Sequence, residues 1–409
     1  MQVPEYVFFR YFFTFFAIAG AASEWTLACW FGFRPPLAFH VLGPVALATV
    51  TRLSARALRR EAPTLTAFDR VQRAVFAAGF VALAAAAALV VTVGAGAILG
   101  GFRAEAGVVG ARQASMLLSG PLWWLGSIAA IGAAGAVVHG YLRGHRRLVV
   151  TEMTVALDDL PRSLEGVRLV HVSDLHVGPL ADRAALCAGL DRIATLEPDL
   201  VCVTGDIVDN NFTDLASWLP ELDRVQARHG VFAILGNHDR HVGADTVAAA
   251  LARWTHWRLL RDEVATIDVD GGRLHIAGLE NRSRPESTED LPALVAGIPA
   301  GEASVLLVHN PEAFPAAAAA GARLVLAGHT HGGQLAVPFL ARINPARVFL
   351  TRYDAGRFTR DGATLLVSRG LGHSGQPVRV GVPAEICVVT LVRSVAAIAA
   401  ERHARGVSP

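Results

Sequence analysis

The sequence predicts an N-terminal α-helical membrane domain followed by an α/β domain. Three observations predict it. Long uncharged apolar runs are confined to the part before residue 147. From Leu148 onward, short β-branched runs alternate with amphipathic Ala/Leu/Arg stretches, the pattern of strands alternating with helices. Five of those β-branched runs finish on an Asp, His or Asn. A chain of 409 residues has room for two domains. Its 53% hydrophobic and 18% charged composition averages two unlike parts. The expected boundaries are 1–147 for the membrane domain, 148–393 for the α/β domain and 394–409 for a short amphipathic tail.

The membrane domain is read from length and charge. A spanning helix needs about 20 mostly apolar residues. Residues 74–102 carry no charge, and 113–142 carry none apart from His139. Each is long enough to span. Residues 35–51 form a shorter uncharged run with prolines near its start and at Pro44, read as a third span. The segment 6–33 is rich in Phe and Trp but is interrupted by Glu24, so it spans or lies partly at the interface. About four spans result. Arg52, Arg56, Arg59, Arg60, Arg70 and Arg73 then fall on the same side as Arg143, Arg146 and Arg147, while the loop between the last two spans has only Arg103 and Arg112. The arginine-rich side is expected to be cytoplasmic, which makes this a multi-pass protein of a bacterial-type inner or plasma membrane with its α/β domain in the cytoplasm. A cleaved leader fits less well, because Glu5 precedes the one early cation, Arg10, and apolar segments keep following.

Charge and cysteine usage exclude other classes. A formal net charge of +2 gives no basic field for nucleic acid. Cys29, Cys187, Cys202 and Cys387 are far apart and form no CxxC, so neither a disulfide framework nor a zinc finger is expected. Cysteines scattered in apolar runs fit small core residues in a reducing compartment.

The five strand ends carry the chemistry. The run 166–172 ends at Ser173, Asp174, Leu175 and His176. The run 199–204 ends at Gly205 and Asp206, with Asp209 three residues on. Residues 231–235 lead to Gly236, Asn237, His238 and Asp239, and 304–308 lead to His309. The run 323–327 ends in Gly328-His329-Thr330-His331-Gly332-Gly333-Gln334. Further strands are expected at 273–277, 364–368 and 386–392. Ligands of open α/β sheets bind at the carboxyl ends of strands, and five polar ends in a row are hard to explain by packing. Glycines beside the polar residues let the chain turn and approach an ion.

Oxygen and imidazole donors without thiolate suit Mn²⁺, Fe²⁺ or Zn²⁺, with manganese favoured. The candidates are too many for one tetrahedral ion and would be used up by two ions sharing a carboxylate. Two divalent ions outweigh Asp174, Asp206 and one hydroxide, so the site would attract an anion. Ions about 3.5–4 Å apart can activate a water and hold both oxygens of an in-line phosphoryl displacement. His238 is the candidate acid for the leaving oxygen, and Asp239, next in sequence, is its candidate orienter.

These motifs, D-x-H, G-D-x-x-D, G-N-H-D, a lone His and G-H-x-H in that order, resemble the calcineurin-like metallophosphoesterases over roughly 150–391. The string 328–334 and the later Arg369-Gly-Leu-Gly resemble the bacterial membrane-attached branch of that family. The resemblance implies a four-layer α-β-β-α fold with two packed mixed sheets. It implies that Asp174, His176 and His331 bind one ion, that Asp206 bridges, and that Asn237, His309 and His329 bind the second. It gives His238 the role of acid or phosphate contact.

The expected activity is metal-dependent hydrolysis of a phosphodiester or pyrophosphate. A membrane anchor would bring the site near a lipid or nucleotide-linked lipid substrate, the latter being cleaved by some bacterial members of the family. Apolar residues 337–340 would meet acyl chains or pack in a loop. A soluble or cyclic nucleotide is the alternative substrate, and a membrane sensor or scaffold with a structural metal domain is the alternative of another class. Asp209 reads as a turn or supporting residue and His171 as packed. His241 and His373 lie at the surface or touch substrate. Arg369 and Gln334 are candidates for phosphate oxygens. The stretch 280–303, rich in Pro, Ser, Glu and Arg, reads as a surface loop or a cover for the site.

Overall fold

A computed structural model describes residues 111–178, 180–209, 214–281, 288–336, 344, 347 and 351–395. The expected spans at 6–33, 35–51 and 74–102, the apolar segment 337–340 and nearly all of the tail lie outside the described residues. The chain divides into two compact units, 1–142 and 143–409. In the first unit the described element is helix α1, Ala111–Leu142, of 32 residues. It covers the fourth expected span. Trp124, Leu125, Ile128 and Ile131 on it are exposed. Side chains of 111–123, 126 and 127 are outside the described set. Among the described residues no helix is long and apolar enough to cross a membrane. The spans therefore rest on sequence alone.

The second unit is built from twelve described strands in two sheets. The first sheet contains β1 (Leu148–Leu157), β2 (Arg168–Val172), β3 (Leu200–Thr204), β4 (Val231–Ile234), β5 (Trp257–Leu259) and β12 (Ala384–Arg393), in the order β1-β12-β2-β3-β4-β5. The second contains β6 (Glu263–Val269), β7 (Gly272–Gly278), β8 (Ala303–Leu307), β9 (Leu324–Ala327), β10 (Gly356–Arg360) and β11 (Ala363–Val367), in the order β10-β11-β9-β8-β7-β6. Both are mixed. β2, β3, β4 and β5 run parallel, and β12 is antiparallel to β2. In the other sheet β7, β8, β9 and β11 run parallel, and the hairpin partners β6 and β10 run antiparallel at the edges.

Side-chain alternation explains the layers. On β2, Leu169 faces the second sheet, and Val170 faces the other way. Leu200, Cys202, Phe232 and Ile234 join Leu169 in meeting Leu274, Ile276, Val305, Leu307, Leu324, Leu326 and Leu366 from the second sheet. The outer face of the first sheet packs on α2 (Arg183–Ala194), α3 (Leu219–Leu222) and α4 (Asn237–Trp254), through Leu186, Leu190, Ile193, Leu222, Val247 and Leu251. The outer face of the second packs on α5 (Leu291–Ala296) and α6 (Phe314–Ala319), through Leu291, Leu294, Phe314 and Ala317. Helices, sheet, sheet and helices make the four layers. Strands such as β3, buried at every residue, need apolar side chains on both faces, which is why they read as unbroken hydrophobic runs. Truncating a side chain between the sheets, such as Leu326, should cost about 2–5 kcal/mol.

Helix and turn chemistry sets the remaining geometry. Asp182 caps α2 by accepting a hydrogen bond from the Ala185 N–H at 3.2 Å. Leu186, Leu190 and Ile193 recur on its buried face. The β6–β7 hairpin turns on Asp270-Gly271 and the β10–β11 hairpin on Asp361-Gly362, all four with positive φ, as a two-residue type I′ turn requires.

Candidate metal centre

The carboxyl ends of β2, β3, β4, β8 and β9 come together where the two sheets meet. The His309 ring, following β8, lies with Nδ1 2.8 Å from the Thr204 carbonyl oxygen at the end of β3. That contact ties the second sheet to the first. The loop after β2 is held to the loop after β3 by backbone bonds from Asp174 N–H to the Gly205 oxygen and from His176 N–H to the Asp206 oxygen, each 3.0 Å.

Local conformation at these ends is costly. Asp174, His176, Asp206, His329 and His331 all have φ between 45° and 72°. Non-glycine residues in this left-handed region cost of order 1 kcal/mol or more each, and they concentrate at sites where the strain positions a side chain. Two glycines allow the close approach. A Cβ on Gly236 would sit 2.2 Å from Asp206 Oδ1, and one on Gly328 would sit 1.8 Å from Ser173 Oγ and 2.5 Å from Asp174 Oδ2.

All seven residues read as ligands lie in this cluster. Asp174, His176, Asp206, Asn237, His309 and His331 are buried, and His329 is exposed. On one side, His331 Nε2 lies 3.5 Å from Asp174 Oδ1 and 3.0 Å from His176 Nε2. On the other, His309 Nε2 lies 3.1 Å from Asn237 Oδ1 and 3.2 Å from His329 Nδ1. Asp206 stands between them: its Oδ2 is 3.3 Å from His309 Nε2 and 3.6 Å from His176 Nε2. Donor atoms of Asp174, His176 and His331 lie within 4.8 Å of one another, as do those of Asp206, His309 and His329.

The donor set fits divalent cations. Buried imidazoles face each other nitrogen to nitrogen, and carboxylates sit among them. Burying so many lone pairs without a cation is expensive. The Nδ1 atom of His331 has no hydrogen-bond partner, and that of His176 faces Asp209 Oδ1 at 3.6 Å. Among the protein groups alone, burial opposes ionisation of Asp206, but His309, His238 and His176 outweigh it and hold the carboxyl well below its usual range. Burial pushes Asp174 up, with the Asp206 charge adding to it. Burial and the neighbouring His176 push His331 well down, keeping it a neutral donor.

His238 is 8% exposed, and its Nε2 is 4.0 Å from Asp206 Oδ2. Its Nδ1 lies 3.2 Å from Asp209 Oδ1. Burial would lower its pKa, but Asp206 and Asp209 outweigh burial and raise it to about 9. With no metal bound, these two carboxylates favour the protonated ring, the form that can give a proton.

The expectation that Asp239 orients His238 needs correction. Asp239 is the third residue of α4 and turns back across the helix start. Its carboxylate accepts from the N–H groups of Gly236 and Val208, each at 2.8 Å, and of Ile207 at 3.2 Å. It fastens the loop after β3 to the start of α4, while Asp209 fixes the ring. Burial and the Asp206 charge push the Asp239 carboxyl up to about 6, against those three bonds.

Other candidates fall elsewhere. Arg369 is engaged by Glu385 Oε1 at 2.5 Å and Thr151 Oγ1 at 3.2 Å rather than presented to a phosphate. Gln334 exchanges both amide ends with the Ser374 backbone, its Nε2 donating at 3.2 Å and its Oε1 accepting at 2.8 Å. His171 is packed, with Nε2 2.9 Å from Thr204 Oγ1. The His241 ring is exposed, with its centroid 6.2 Å from that of His238. Two supporting residues escaped sequence reasoning. Arg379, 2% exposed, donates to the carbonyl oxygens of Arg369, Gly370 and Gly372 at 2.9, 3.1 and 2.5 Å. Asn344 donates to the Gly332 oxygen at 2.6 Å and steadies the loop carrying His329 and His331. Neither lies in a motif that would signal it.

Comparison with known proteins agrees with this geometry. Residues 167–333 match the family model described as calcineurin-like phosphoesterase. An uncharacterised metallophosphoesterase of Bacillus subtilis is 30% identical over 63% of this chain and 93% of its own length. One from Campylobacter jejuni is 30% identical over 57% of this chain, and the match spans 61% of that relative. A Bos taurus protein named as a transmembrane protein with a metallophosphoesterase domain is 28% identical, over 62% of this chain and 59% of that one. With its metal-competent cluster at the strand ends, this chain belongs to the calcineurin-like phosphoesterase family and is a metal-dependent phosphoester hydrolase.

Proposed function

We propose that the chain is a membrane-anchored phosphoesterase that uses two divalent ions, with manganese favoured, to hydrolyse a phosphodiester or pyrophosphate bond in a lipid-linked substrate. The observation that carries the two-ion reading is the position of Asp206. One oxygen of a single carboxylate faces His176 on one side and His309 on the other. Asp174, His176 and His331 would hold one ion, Asn237, His309 and His329 the other, and Asp206 both. Bound there, the ions would supply Lewis-acid polarisation of the phosphoryl group and a water acidified toward neutral pH.

The chain's own groups account for the rest. Hydrolysis forms a phosphorus–oxygen bond to water and breaks the bond to the leaving oxygen, which must take up a proton. His238 supplies it from Nε2, because Asp209 engages Nδ1. Asp209 also keeps the ring in one orientation, so the acid does not have to be ordered during the reaction. Asp174 and Asp206 are themselves buried, so attraction between the metal-loaded site and an anionic phosphate would be screened less than at an open surface.

The anchor reading rests on the apolar runs of 1–147 and on the exposed Trp124, Leu125, Ile128 and Ile131 of α1, side chains that suit lipid better than water. A lipid-linked substrate follows from the anchor, since an active site tethered to a bilayer samples lipids first. Full-length protein in detergent with Mn²⁺ should hydrolyse an aryl phosphodiester and lose that activity in chelator. Incubated with a lipid extract, it should deplete one phosphate-bearing lipid. Turnover of a cyclic nucleotide with no lipid consumed would transfer the activity to a soluble substrate. A reporter fused after residue 147 should be active in the cytoplasm, and activity only outside it would overturn the topology.

A further inference from the structure

A second, small pocket, lined mostly by leucine and alanine but with four polar side chains, lies beside the metal centre and has no role in the chemistry above. It is lined by His145, Arg146, Asp182, Leu175, Gly372 and His373, among others. Leu175 sits between Asp174 and His176. Gly372 donates from its N–H to the Asp174 carbonyl oxygen at 2.8 Å, and Leu371 donates to the Ser173 oxygen at 2.9 Å. The pocket and the metal centre thus share one wall, the loop after β2.

His373 is the anomaly in this pocket. It is 6% exposed, and neither ring nitrogen has a hydrogen-bond partner. Leaving buried polar atoms unpaired is destabilising, so native proteins rarely tolerate it without a water or ligand. The facing ring, His145, lies with its centroid 6.4 Å away and also has an unpaired Nδ1, while its Nε2 is 3.1 Å from Asp182 Oδ2. Arg146 Nε donates to the same carboxylate oxygen at 2.7 Å.

The chemistry of the occupant follows from these partners. Arg146 and His145 are already matched by Asp182, whose carboxylate would repel a second anion. Burial, with the nearby Arg379, lowers the His373 pKa to about 3, so the ring is neutral. A neutral imidazole offers one donor and one acceptor. Its complement is a small group with the same pair, such as an alcohol hydroxyl.

We propose that the pocket between His145 and His373 is a specificity subsite that takes a free hydroxyl on the alcohol part of the phosphoester substrate. This rests on the reading of the metal centre as a phosphoester site. It narrows the substrate class to esters whose alcohol carries further hydroxyls, such as glycerol or sugar phosphates, over esters of simple alcohols.

Binding can be read without turnover. Full-length Mn²⁺-loaded protein in detergent is titrated with glycerol phosphate and with methyl phosphate, by calorimetry. The same titrations on protein carrying ¹⁵N-histidine, kept diamagnetic with Zn²⁺, follow the His373 ring, assigned by its loss in His373→Phe. The proposal expects glycerol phosphate to bind roughly tenfold tighter and to shift the His373 nitrogens, with methyl phosphate leaving them in place. The preference should collapse toward unity in His373→Phe and be partly kept in His373→Gln, which retains a donor and an acceptor. Equal binding of the two phosphates with an unmoved His373 signal would leave the metal centre intact and overturn the subsite, reducing the pocket to a site for buried water. Binding of neither phosphate would overturn the phosphoester reading and the subsite together.

Discussion

The two sheets bring different chemistry to the same site. The first contributes every carboxylate of the centre, Asp174, Asp206 and Asp209, together with Asn237, His176 and His238. The second contributes imidazoles only, His309, His329 and His331. Neither half is a site. The first alone would leave buried anions unbalanced, and the second alone would gather neutral rings without a charge to hold a cation. The centre exists because the apolar faces of the two sheets pack, bringing His309 Nε2 to 3.3 Å from Asp206 Oδ2. Folding energy from the core between the sheets therefore sustains the strained left-handed residues at their ends.

Removing charge from the first sheet should have the largest effect. Asp206→Asn keeps the shape but removes the shared charge. It should lower kcat/KM on an aryl phosphodiester by roughly 10³-fold or more and reduce bound metal on elemental analysis. Next comes His238→Ala, expected to lose about 10²–10³-fold in kcat with metal content unchanged, because it removes the proton donor and no ligand. A smaller change, about tenfold, is expected from Asp209→Asn. Asp209 raises the His238 pKa, so losing it should move the alkaline limb of the pH–rate profile to lower pH. If Asp209→Asn left that limb in place while Asp239→Asn moved it, the assignment of the orienting carboxylate would be reversed.

The smallest effect is on stability. In protein stripped of metal, His238 has its pKa raised from 6.5 to about 9 in the folded state. A raised histidine contributes its full stabilisation below pH about 6.5 and loses it as pH rises through about 9. At most roughly 3 kcal/mol is involved. The thermal midpoint of chelated protein should fall across that window, and His238→Ala should flatten the fall. A midpoint that rose with pH there would contradict the ion pairing.

Much of this was legible in the residues, for identifiable reasons. Unbroken apolar runs ending in Asp, His or Asn located β2, β3, β4, β8 and β9, because buried parallel strands cannot alternate and must stop where the chain meets the site. Edge strands were harder. β6 and β10 carry mixed polar sequences, yet Asp270-Gly271 and Asp361-Gly362 held hairpin signals that point to them. β1 was hidden because its apolar start, 148–150, follows closely on an apolar helix, although burial alternates from Glu152 to Leu157. The seven residues expected as ligands converge, whereas Asp239 misled because neighbours in sequence point apart once a helix begins. Its place three residues after Gly236, where a carboxylate reaches back to the helix start, was the clue. Arg369 and Gln334 suited phosphate by type but are spent on Glu385 and Ser374, partners too remote in sequence to foresee.

In the proposed centre, seven side chains from two sheets together hold divalent metal. Elemental analysis of full-length protein, equilibrated with Mn²⁺ and freed of excess, tests it most directly. Two ions per chain are expected in the wild type and fewer in Asp206→Asn, with hydrolysis following the bound metal. A protein that bound no divalent ion under those conditions would contradict it.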